Sequence, residues 1–109
     1  MDLAYLKEVV ERRDQLSKDI PVMIGRHAFY DWKRPLIMEG IELVAQDKPE
    51  NAKRLSELGL QLLQARSAEK ASHLQRFRTE DGEKIHELEF ELYSLAFDVF
   101  QTAAEKKYI

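Results

Sequence analysis

Between residues 83 and 104 the chain reads EKIHELEFELYSLAFDVFQTAA, with large apolar side chains at more positions than one face of a helix can hold. At about 100° per residue, Ile85, Leu88, Leu92, Leu95, Ala96 and Val99 form an aliphatic stripe, and Phe90, Tyr93, Phe97, Phe100 and Tyr108 an aromatic stripe beside it. Together they take up roughly 220° of the circumference, where a helix on the surface of a bundle needs only about 100°. Such a helix must be enclosed from more than one direction. The enclosure comes either from this chain, with the third helix on one side and the first two on the other, or in part from a second polypeptide.

The remaining sequence supplies helices and no convincing strand alternation. A first helix is expected from about Asp2 to Lys18, with Leu3, Leu6, Val9, Val10, Leu16 and Ile20 on one stripe and Pro21 either ending it or beginning the next element. Residues 21–34, PVMIGRHAFYDWKR, have weak periodicity and read as an aromatic loop or a short helix. A second helix is expected to open near Pro35, which suits a first turn, and to reach Gln46. Its apolar arc includes Gly40, where another chain segment can come close, and Glu39, Glu42 and Gln46 form a narrow wet strip. Asp47 and Pro49 mark the start of a third helix, with Ala52, Leu55, Leu58, Gly59, Leu62, Leu63 and Ala65 on its apolar face. TEDG, residues 79–82, reads as a turn, and a fourth helix runs from about Glu83 to Lys106.

If the third helix continues to Arg78 it is roughly 45 Å long, and the fourth is roughly 36 Å. A tight turn between them requires an antiparallel hairpin. The expected architecture is therefore all-α: residues 1–109 as one small up-down bundle of about four helices, dominated by the C-terminal hairpin.

Composition narrows the function. With no cysteine, disulfides, thiolate metal sites and cysteine nucleophiles are excluded. The net charge is −3, and residues 50–79 hold six basic and three acidic residues whereas residues 80–109 hold three basic and eight acidic ones. Opposite signs on two adjacent segments favour their pairing, and an acidic total argues against nucleic acid as a partner. No apolar run reaches the ~20 residues of a membrane span, and MDLAYLKEVV lacks the basic start of a signal peptide. A cytoplasmic location is expected.

The apolar stripe of the third helix stops at Ala65, and Arg66, Glu69, Lys70 and His73 follow on or near the same face. In the fourth helix His86 and Glu89 interrupt the apolar arc at a similar distance from the turn. These six residues are expected to form one polar layer, which is either solvated at a protruding hairpin tip, salt-bridged to fix register, or functional. Glu83 and His86 form one Glu-x-x-His pattern; carboxylate-bridged di-iron bundles use it twice with two further glutamates, so no metal or other cofactor is expected. Arg66 and His73, separated by six residues, resemble the Arg-x4-6-His pattern of the all-helical HEPN domains, many of which are ribonucleases. The resemblance implies Arg66 orienting phosphate and His73 as acid or base; it covers two residues, and the polar residue that usually follows the arginine is at best represented by Ser67. Glu39 and Glu42 are similar to one carboxylate pair of the all-helical nucleotide pyrophosphohydrolases, a family that needs a second acidic pair opposite, for which Glu91 and Asp98 are the nearest residues.

The aromatic residues point to association. Phe29, Tyr30 and Trp32 stand among Arg26, Lys33 and Arg34, a mixture favoured at binding hot spots, or else Trp32 plugs the open end of the bundle. The expected interface comprises Phe90, Tyr93, Phe97, Phe100, Tyr108 and Trp32, and the expected function is non-enzymatic: a small acidic adaptor, chaperone or regulator that forms a homodimer or binds a partner helix through the broad face of its last helix. The alternatives are an enzyme or metal protein built on Arg66, His73, His86 and Glu89, and an acidic immunity or antitoxin-like binder. No catalytic residue is assigned.

Overall fold

A computed structural model describes residues 3–19, 24–76 and 80–108, with the side chains of residues 17, 19, 24–29, 69–76, 80–83 and 106–108 outside the description. The described residues form four helices: α1 (Leu3–Asp19), α2 (Ile24–Gln46), α3 (Ala52–Arg76) and α4 (Glu80–Tyr108), with a short 3-10 turn, Pro49–Asn51, leading into α3. Among them no helix is long and apolar enough to cross a membrane.

The helices alternate in direction. On α1 Tyr5 and Arg13 meet Glu91 and Glu89; on α2 Tyr30 lies against Arg13, at the level of Glu89, and Gly40 against Phe100; and on α3 Gly59 and Arg66 lie against Phe97 and Phe90. Residue numbers therefore run with α4 along α2 and against it along α1 and α3, giving an up-down bundle whose α3–α4 pair is the expected antiparallel hairpin. The molecule measures 45 × 25 × 19 Å, and a helix of α4's length is roughly 44 Å long, so α4 runs the whole long axis.

All three other helices pack on α4. Its buried side chains Leu92, Tyr93, Ala96, Val99 and Phe100 join Leu6, Val9 and Val10 of α1, Ile37 and Ile41 of α2, and Leu55, Leu58 and Leu62 of α3 in one core, with Ile85 buried apart from it. Each such aliphatic side chain contributes about 1.5–3 kcal/mol on burial. The broad arc is thus enclosed chiefly by the chain's own helices. Gly40 explains how Phe100 fits: a Cβ at position 40 would run into the Phe100 ring, so the glycine makes the space that the ring occupies.

Several boundaries differ from expectation. The second helix does not begin at Pro35; α2 begins at Ile24 and carries Pro35 inside it, so residues 26–34 are helical and not a loop. Proline cannot donate to the carbonyl four residues earlier. Pro35 and that residue, Asp31, are both exposed, where the loss is cheapest, and burial of Tyr30 and Ile37 on either side holds the helix through it. Asp47 does not cap α3. It closes α2 in the left-handed region, φ 52°, with its N–H donating to the Val44 carbonyl at 3.1 Å, a conformation that Asp tolerates better than most residues. Pro49 opens the 3-10 turn at its N-terminal end. α3 runs unbroken through residues 66–73, with the Ser67 hydroxyl donating to the Leu63 carbonyl at 3.2 Å. Of the expected turn at 79–82, residues 80–82 already belong to α4, and residues 77–79 lie outside the described residues.

Candidate functional site

The polar groups inside the bundle meet on α1. Arg13 follows Val9 and Val10 by one turn and precedes Leu16 by three residues, so helical spacing carries it into the core along α1's own apolar stripe. Its Nε donates to Glu89 Oε1 at 2.8 Å and its Nη2 to the same oxygen at 2.5 Å, and both side chains are 0% accessible. The guanidinium carbon lies 4.3 Å from the centre of the Tyr30 ring of α2, inside the range of cation–π attraction.

From Tyr30 the network runs outward. Its hydroxyl donates to Asp14 Oδ1 at 3.0 Å, and Arg34, one turn along α2, grips Asp14 with Nε at 3.0 Å and Nη2 at 2.9 Å. Burial raises the Tyr30 hydroxyl above its ordinary range and the Asp14 carboxylate raises it further, so it stays a neutral donor. The hydrogen bond to Asp14 likewise strengthens the Arg34 guanidinium's hold on its proton. Val10 and Asp14 of α1 and Arg34, Met38 and Ile41 of α2 help line a cleft of about 250 Å³ between the two helices.

Of the residues of the expected polar layer, Glu89 pairs with Arg13 across α1 and α4. Arg66 and His86 both approach Phe90: the Arg66 guanidinium sits 4.6 Å from the Phe90 ring centre, and the His86 and Phe90 rings are 6.2 Å apart. The side chains of Glu69, Lys70 and His73 lie outside the described residues, as does that of Glu83. Among the described residues no three His, Asp or Glu side chains are grouped to hold a metal ion. Glu39 is engaged by Arg54 of α3 at 2.6 and 2.8 Å, while Glu91 accepts a hydrogen bond from Tyr5 and lies 3.9 Å from Arg12 on α1. The two carboxylate groups therefore serve different helix pairs and do not face one another.

The aromatic residues divide as well. Tyr93 and Phe100 are enclosed by the chain's own core and cannot line an interface; α2 and α3 supply the cover that a second chain was expected to give. Phe90 and Phe97 are half-buried on the α3 side of α4, and the side chain of Tyr108 is outside the described residues. Trp32 does not plug the bundle end. It stands on the outside of α2 at 76% exposure, beside exposed Asp31 and Pro35.

Sequence reasoning missed Arg13, although it is a charge at an apolar-stripe position with an acidic counterpart, Glu89, in the buried arc of the last helix. Tyr30 was named only as part of the aromatic segment; its place in the core carries no signal, because the segment around it shows no period. No protein-family model, curated protein or solved structure matches the chain.

Proposed function

We propose that the chain is a non-enzymatic protein-interaction module that acts as a homodimer or on a partner's helix, and that its contact centres on Trp32 of α2 and not on the broad face of α4. The observation that carries this reading is the 76% exposure of Trp32 on a helix whose inner face is fixed by Tyr30, Ile37 and Ile41. An indole held outward on a rigid element offers a large apolar contact at little ordering cost, and tryptophan is among the residues most enriched at binding hot spots. Exposed Pro35 and half-buried Leu36, three and four residues on, extend the apolar strip, and charged Asp31, Lys33 and Glu39 border it, as a polar rim borders most interface centres.

The test uses the chain's single tryptophan. Light scattering across a dilution series, with indole emission and acrylamide quenching read on the same samples, is expected to show a dimer whose emission is shielded and moves toward that of free indole as the dimer dissociates. Trp32→Asp is expected to give a monomer of unchanged helicity. A parent protein that is monomeric at every concentration, with indole fully quenchable alone and in the presence of co-purifying protein, would reject the reading.

A further inference from the structure

The seam between α1 and α4 is aliphatic on both sides. Leu6, Val9 and Val10 of α1 and Leu92, Ala96 and Val99 of α4 are buried, with Leu88 and Leu95 packed partly against the same core. Apolar burial is non-directional, and both stripes repeat every three to four residues. Sliding α1 along α4 by one turn, about 5.4 Å, would still set aliphatic side chains against aliphatic side chains.

Tyr5 and Arg12 also reach Glu91 across this seam, but at its solvated edge; the Arg13–Glu89 pair is the polar contact buried within it. After such a slide, Arg13 would move toward Ile85 or toward Leu92, and Glu89 would face Val9, Val10 or Leu16. Two side chains that are 0% accessible would then be charged, dry and apart, an arrangement far more costly than imperfect aliphatic packing. The same layer indexes α2. Tyr30 stacks on Arg13 and donates to Asp14, the next residue of α1, and Arg34 closes on Asp14 with two hydrogen bonds. α2 therefore grips α1 at the level where α1 grips α4.

We propose that the Arg13–Glu89 pair, with Tyr30 stacked on the guanidinium, is a register key: it selects one longitudinal position for α1 and α2 on α4 and contributes specificity in place of net stability. A buried ion pair is often no more stabilising than apolar side chains of the same volume, whereas its directionality separates the correct alignment from its neighbours one turn away.

The chain has no cysteine, so Ala4→Cys on α1 and Lys84→Cys on α4, both exposed and set apart along the seam, carry spin labels at two defined points. Pulsed dipolar spectroscopy of the otherwise unaltered protein is expected to give one narrow distance. Combining Arg13→Met with Glu89→Leu is expected to leave helicity unchanged and the urea midpoint equal or higher, while the distance distribution broadens or gains a second maximum displaced by about 5 Å, one helical turn. Arg13→Lys, which keeps the charge, is expected to retain the single distance. An apolar double variant with the parent's narrow distance would overturn the proposal, since packing alone would then set the register. A double variant that fails to fold would overturn it too, by making the pair a source of stability. A broadened distribution for Arg13→Lys would remove the role from the charge.

Discussion

Among single residues, Arg13 and Gly40 carry the sharpest energetic consequences. Arg13→Leu alone leaves the dry Glu89 carboxyl without its Arg13 partner, and removing one partner of such a pair costs about 3–5 kcal/mol; urea unfolding is expected to show a loss of that size, larger than for Glu39→Gln at the half-exposed ion pair. Gly40→Ala is expected to destabilise by about 1–3 kcal/mol through overpacking, because Phe100 is fully buried and its ring has no free direction in which to yield. Gly59 provides the contrast: a Cβ there would meet the Phe97 ring at 3.5 Å, an ordinary contact. Thermal unfolding of Gly40→Ala and Gly59→Ala side by side separates a glycine required for close approach from one that is merely tolerated.

At the scale of helices, α2 is the element the sequence described least well. Gly25, Pro35 and a mixture of aromatic and basic side chains erase the period over residues 24–34, and a proline inside a helix looks the same in sequence as one that starts it. Tertiary anchoring through Tyr30 and Ile37 overrides that local signal. Since Pro35 is exposed and removes a helical hydrogen bond, Pro35→Ala is expected to raise the melting temperature and leave the fold unchanged, as checked by calorimetry and circular dichroism. α2 is tied to α3 by Glu39 and Arg54, whose hydrogen bonds hold the Glu39 carboxyl below its ordinary value. A carboxyl depressed in the folded state adds stability above its unfolded value, near about 4.3, and loses it as pH falls through the lower folded value. Both side chains are about 40% accessible, so the effect is modest, no more than about 0.5–1 kcal/mol. Comparing the parent with Glu39→Gln between neutral pH and pH about 3 is expected to show a difference at neutral pH that vanishes in acid.

For the molecule as a whole, the last helix was the legible part. Its apolar arc is continuous and strongly periodic, so both its helicity and its enclosure from several directions followed from spacing alone. What spacing could not decide was whose atoms enclose it, because an aliphatic surface accepts cover from its own chain or another on equal terms. The structure assigns that cover mainly to α1, α2 and α3, which moves the case for association from the buried rings of Tyr93 and Phe100 to the outward indole of Trp32. The ionic layer was half legible: Glu89 stood out as a charge among leucines, but its partner lies 76 residues away and only the fold brings the two together.

The helix against which the other three pack is the fourth to be synthesised. While residues 85–104 are still inside the ribosome, the first three segments have only one another to close on and lack their common cover, and Arg13 is without Glu89. A nascent chain of this kind cannot acquire its interior progressively from the N-terminal side; it waits with its greasy surfaces uncovered and then condenses in one late step, the interval in which a holding chaperone would matter most.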